Sequence, residues 1–397
     1  MTSRRVGVVV GLAVLAAACG DGDRSSDASD RSSDPTPVTV AQLAASPTED
    51  VPSALDDSTD DRFPSPLLDP DELISGGPPP DGIPSIDEPK FVRAEAVEFL
   101  DDDEPVLAVE VGDESRAYPV QVLIWHEIVN DTLDGVPVAV TYCPLCNSAV
   151  AYDRRLDDRV LSFGTSGMLY NSALVMYDRQ TESLWSHFTG EAVIGHLTGV
   201  QLDVFPMATV SWADWREANP DGLVLSRDTG HDRDYGANPY PGYDDVDDRP
   251  FLFEGEIDGR LAAKERVVGI EAGDDAVAVR LDHLSDEGVV EVQLGDDPLV
   301  VWAQPGTASA LDSVTVAGGE DVGATGVFRP VVDGEPLSFE RQGEGFVDRE
   351  TNSRWNVLGQ AIDGPLSGTR LEAVAHVDTF WFAWAAFQPD TQIVPEP

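Results

Sequence analysis

From residue 106 onward, short Val-rich apolar runs alternate with Gly, Asp and Pro, and few stretches keep a helical period. Segments 106–111 and 136–142 therefore predict strands bounded by turn formers. The runs 149–152 and 160–163 flank Asp157-Asp158 as the arms of a hairpin would, and 174–177 and 184–188 flank Asp178-Arg179-Gln180-Thr181-Glu182-Ser183. In that polar segment the Asp, Ser and Thr side chains can bond the backbone of a turn. Ser211-Trp212-Ala213-Asp214-Trp215 predicts a short helix: Ser211 caps it, Asp214 closes a capping box and Asn219-Pro220 ends it. Its two tryptophans at i, i+3 share one face and are expected in the core.

This pattern occurs twice. Gly112-Asp113, Pro137, Pro144 and Ser148-Ala149 align with Gly273-Asp274, Pro298, Pro305 and Ser309-Ala310. Further on, Asp178, Arg179, Thr181, Ser183 and Trp185 meet Asp348, Arg349, Thr351, Ser353 and Trp355, while Trp212 and Trp215 meet Trp381 and Trp384. The expected fold is a β-rich α+β class: an internally duplicated, mixed or antiparallel β domain with short helices and two pseudo-symmetric halves. The first repeat spans 105–226 and the second, degenerate repeat 265–397. A Tyr-, Pro- and Gly-rich connector over 227–264 and a strap over 66–104, with Gly76-Gly77-Pro78-Pro79-Pro80, should tie them into one body.

What both copies keep builds the unit, and what one copy keeps alone is free for chemistry. The first copy has His126, Cys143 and Cys146 where the second has Glu287, Gln304 and Thr307. Tyr170 and Asn171 stand in a segment, 164–176, that shrinks to 340–346 in the second copy, which makes them candidate pocket or cofactor-binding residues.

The N-terminus changes the picture. Arg4-Arg5, an apolar run over 6–15 and Ala16-Ala17-Ala18-Cys19 read as a signal peptide, 1–18, followed by a lipidated Cys19. Residues 19–65 are rich in Asp, Ser, Pro and Thr and read as a disordered tether. The expected location is extracytoplasmic, lipid-anchored to the cell membrane, with another envelope protein as a possible partner. Against 25 basic residues stand 73 acidic ones, a formal charge of −48 that excludes nucleic acid as a partner.

With Cys19 lipidated, two cysteines remain, so no disulfide framework staples the fold. Cys143-Pro144-Leu145-Cys146 allows several chemistries. Covalent haem needs His after the second cysteine, and Asn147 stands there. A thioredoxin-like thiol sits at a helix N-terminus, whereas 147–153 reads as a strand. A metal knuckle after a strand offers two thiolates; zinc takes four ligands, so His126 and one further group would complete it, and copper(I) suits the same soft donors. Cys143 with His126 as its base is the nucleophilic alternative. The opposing reading is an inert cysteine pair in a non-catalytic binding or structural module. An open polar pocket is expected once, bordered by His126, Cys143, Cys146, Tyr170 and Asn171 and roofed by Tyr235 or Tyr240, with the place beside Gln304 filled.

Ala117-Tyr118-Pro119, His126-Glu127-Ile128-Val129-Asn130-Asp131, Thr141-Tyr142-Cys143-Pro144-Leu145-Cys146, the run 163–172 and the ending Phe380-Trp381-Phe382-Ala383-Trp384 together resemble the DUF3179 domain family of bacteria and archaea. With the strap, the resemblance spans roughly 66–397. It implies a domain, not a reaction, because the family's function is unknown. The chain departs from the family pattern at His187, where Gln is expected, and at His196, where Pro is usual and Pro365 still stands in the second copy. Neither histidine is expected to carry a role shared by the family.

Overall fold

The computed structural model describes residues 52–396 apart from residue 344; the segment read as a signal peptide, Cys19 and most of the segment read as a tether lie outside them. Three sheet types each occur twice, in the same strand order. Met207–Ser211, Pro105–Val111, Glu114–Pro119 and Leu223–Leu225 form one sheet, extended by Phe91–Arg93, and Val377–Phe380, Arg266–Ala272, Asp275–Arg280 and Gln392–Val394 form its counterpart. In both, the strand after the Trp helix joins in parallel, the other pairs being antiparallel.

The strands Val204–Phe205, Ser148–Asp153, Val136–Cys143 and Ile128–Leu133 form a second sheet, matched by Glu372–Ala373, Ala324–Arg329, Asp297–Gln304 and Val289–Leu294. A third runs Phe163–Tyr170, Ala173–Asp178, Leu184–Ser186, Ala192–Ile194, matched by Phe339–Gln342, Gly345–Asp348, Arg354–Trp355, Ala361–Asp363. The strap adds Ile74–Ser75 to the edge of the first-half version.

The repeated polar turns are structural, as their chemistry predicts. Asp178 accepts from the backbone N–H and hydroxyl of Thr181 (2.7 Å each) and from Trp185 Nε1 (3.0 Å). Asp348 holds Thr351 and Trp355 in the same way. The helix Trp212–Ala218 carries the Ser211 cap, and its Trp212 and Trp215 rings stack 5.7 Å apart in the core. Its counterpart Trp381–Phe387 starts at Phe380 with no side-chain cap, so packing rather than capping holds it.

Three expectations need correction. Segment 160–163 does not pair with 149–152: Arg155–Leu156 and Arg159–Val160 close a small hairpin of their own around Asp157, and Phe163 then enters another sheet. The alignment of Ser148 with Ser309 is also out of register. Cys143 pairs with Ser148 and Gln304 with Ala324, so the second half replaces the four-residue turn 144–147 by the loop 305–323. Lengthening a surface loop costs little closure entropy, which lets the strands keep their pairing. Finally, residues 52–65 are not loose tether. Ala54 is buried and Leu55 and Phe63 pack with it on Val175, Tyr177, Leu184 and Ile194, apolar contact enough to dock the segment. No helix among the described residues is long and apolar enough to cross a membrane.

Candidate functional site

Cys143 is the last residue of its strand, and the turn that follows, with Asn147 at φ 49°, folds Cys146 back toward it. Both are buried free thiols. Burial pushes the Cys143 thiol up, but hydrogen bonds from Cys146, through its thiol and its backbone N–H, and from the N–H groups of Leu174 and Leu145 outweigh this and hold it below the usual thiol range. Neighbouring donors thus favour the charged form of this sulfur by more than burial disfavours it. Cys146 is the opposite. Burial, and then the neighbouring Cys143 sulfur, push it well above the usual range, so it stays protonated.

Behind Cys146 runs a buried relay. Its Sγ lies 2.9 Å from Ser148 Oγ, which lies 2.9 Å from His187 Nε2. His187 Nδ1 has no partner, and burial depresses the ring to about 4. Sequence reasoning set His187 aside as a departure from the family pattern; the structure places it at the end of this relay, a position an amide side chain can also occupy as donor and acceptor.

Glu127 was missed altogether. It is buried, with its carboxyl pushed well above the usual range by desolvation and then by the Cys143 charge. Tyr240, itself raised by burial, feels both Glu127 and Cys143. A carboxyl that burial keeps protonated is a candidate proton donor for this site. Glu127 also has φ 59°, a left-handed backbone that costs a residue with a Cβ, and its counterpart Gly288 has φ 79°. The second half uses the residue that backbone favours; the first half accepts strain to put a carboxyl there. That contrast was the signal available in the sequence.

The connector roofs the pair. Tyr243 donates its hydroxyl to the carbonyl of Leu145 (2.8 Å) and accepts from Phe251 N–H (3.3 Å). Ser172 Oγ donates to the carbonyl of Phe251 (2.6 Å), and its own carbonyl lies 3.9 Å from Cys143 Sγ. Ser172 and Leu174 are therefore the residues of the 164–176 hairpin that approach the sulfur. Tyr170 instead packs its ring on Phe387, 5.8 Å away, and Asn171 forms the turn at φ 51°, so neither is brought to the cysteines.

His126 is not the third ligand. Its Nδ1 donates to the carbonyl of Pro84 and its Nε2 accepts from Tyr235 (2.6 Å each), which engages both ring nitrogens in pinning strap and connector together. Among the described residues no group of three or more His, Cys, Asp or Glu is placed to hold a metal ion. The four-ligand zinc set is not assembled; two sulfurs are what the site offers. The open cavity also falls on the other side from that expected. About 520 Å³ opens beside Gln304, between Lys264, Arg266 and Arg341, while the cysteine pair is sealed. The loop 305–323 leaves room in the second half, and the connector closes the first.

Burial holds the His126 ring down to about 4, against an ordinary value of 6.5. Between those values the unfolded chain takes up a proton that the folded ring refuses, so this group's contribution to stability falls as pH drops through that window. Against a His126→Gln variant, the wild type is expected to lose on the order of 3 kcal/mol between pH 7 and pH 4. Urea unfolding of both proteins across the range measures it; a constant gap between the two curves refutes it.

The fold and site together define a class: a β-rich protein whose strand order recurs in two halves, one of them holding a buried pair of free cysteines. The family model described as "Protein of unknown function (DUF3179)" matches residues 80–391, and the chain belongs to that family. No curated protein and no solved structure matches it.

Proposed function

We propose that this protein is an extracytoplasmic lipoprotein, anchored through Cys19, whose Cys143 and Cys146 cycle between dithiol and disulfide in exchange with another envelope protein. The observation that carries this reading is the pairing itself: two buried free cysteines three residues apart, one ending a strand and the other in the turn that follows, with the Cys143 thiol lowered and the Cys146 thiol raised. Cys143 attacks a sulfur of the partner's disulfide, forming a mixed disulfide and releasing one partner thiolate, which takes a proton from Glu127. Cys146 then attacks Cys143 and its proton leaves with the second partner thiolate as that group is expelled. The partner gains two electrons and the pair loses two.

Protein purified without oxygen should show two alkylatable thiols on unfolding. Incubation with a disulfide reagent should convert them to one Cys143–Cys146 disulfide, lighter by two hydrogens in the intact mass, and dithiothreitol should reverse it. Thiols that neither react nor cycle sink the reading in favour of an inert pair in a binding module. Stoichiometric copper retained by the pair and lost in Cys143→Ser replaces it with soft-metal binding.

A further inference from the structure

The two halves meet at two matching junctions. Val377–Phe380 packs against Ser148–Asp153, and Met207–Ser211 against Ala324–Arg329. Their floors correspond: a Cβ on Gly190 would strike the Tyr152 ring, and one on Gly359 the Phe328 ring. The first junction is plugged by the chain itself. Phe387 stacks on Phe188 with centroids 4.5 Å apart, Phe188 leans on Trp384 at 6.2 Å, and Gln388 bonds Glu271 across the top.

At the second junction each plug is smaller. The last helical residue, Phe387 in one half, is Ala218 in the other. Leu358 follows Arg354–Trp355 where Phe188 follows Leu184–Ser186, and Glu110, the counterpart of Glu271, turns away to pair with Arg370. What remains is a cavity of about 270 Å³ walled by Ala108, Ala208, Val327, Phe328 and Leu358. That is room for one aromatic ring system, since engineered apolar cavities of about 150 Å³ already take benzene. One wall is polar. His376 donates through Nδ1 to the carbonyl of Val374 (3.0 Å), which leaves Nε2 as the ring nitrogen open to a ligand in the lining.

We propose that this cavity binds a small aromatic molecule carrying a hydroxyl or ring N–H donor, as phenols and indoles do, taking the place that Phe387 fills at the other junction. The site is separate from the cysteine pair, and its test does not depend on the redox reading. Calorimetric titration of the full chain with indole should show one saturable site, and 1-methylindole, which lacks the donor, should bind about tenfold more weakly. His376→Ala should erase that preference while keeping both ligands bound. Leu358→Phe, which restores the plug of the other half, should abolish binding of both, and Ala108→Phe serves if that variant does not fold. Cys143→Ser should bind as the wild type does. Absence of saturable binding, equal affinity for the two ligands, or full affinity in the filled variants overturns the proposal.

Discussion

Cys143→Ser is expected to abolish disulfide cycling, whereas Cys146→Ser is expected to arrest it as a stable mixed disulfide. The asymmetry follows from which sulfur the backbone serves. Donors from Cys146, Leu174 and Leu145 lower the Cys143 thiol while burial raises Cys146, so Cys143 is the sulfur expected to attack. Cys146, raised by burial and by the neighbouring Cys143 sulfur, is the poorer nucleophile of the two. With serine at 143 the remaining thiol should react about two orders of magnitude more slowly, because the thiolate rather than the thiol attacks. With serine at 146 the first attack proceeds and nothing resolves it. Non-reducing electrophoresis against a partner-like disulfide peptide reads both outcomes. A mixed disulfide trapped on Cys146 rather than Cys143 would reverse the assignment.

The second large effect is on stability. Asp178→Ala is expected to cost about 3–5 kcal/mol, and Asp348→Ala a similar amount. Each aspartate is buried and satisfies the backbone and hydroxyl of a threonine together with the indole N–H of a core tryptophan. Truncation leaves those donors without acceptors and water does not reach them. Denaturant unfolding measures the loss. A cost below about 1 kcal/mol would mean that the turn is held by its backbone alone.

The sequence made these turns legible because the same residues recur at the same spacing, and the Trp helices for the same reason. Strands 105–111 and 136–143 were legible because Val-rich runs between turn formers have few other ways to fold. The register after the cysteine turn was not legible. Ser309-Ala310 imitates Ser148-Ala149 by chance, and only strand pairing reveals that Ala324 is the true counterpart. Cys143 and Cys146 stood out as the paired thiols of one half. Glu127 did not, since one acid among 73 reads as surface unless its backbone conformation is known. His126 stood out for the wrong reason: its partners come from the strap and the connector, 42 and 109 residues away, and no local pattern announces contacts of that range.

The connector over the cysteines bears on timing as well as on access. The groups that lower the Cys143 thiol belong to its own turn and to the strand Ala173–Asp178, not to the connector. An outside reagent therefore waits for the Tyr243–Leu145 latch to part, and that parting leaves those groups beside the sulfur. Reaction becomes limited by the frequency of opening, and the site behaves as a clock set by its lid. A partner able to grip the connector would shorten that wait for itself alone, so discrimination between envelope thiols and disulfides would reside in who can lift the cover, not in the sulfur beneath it.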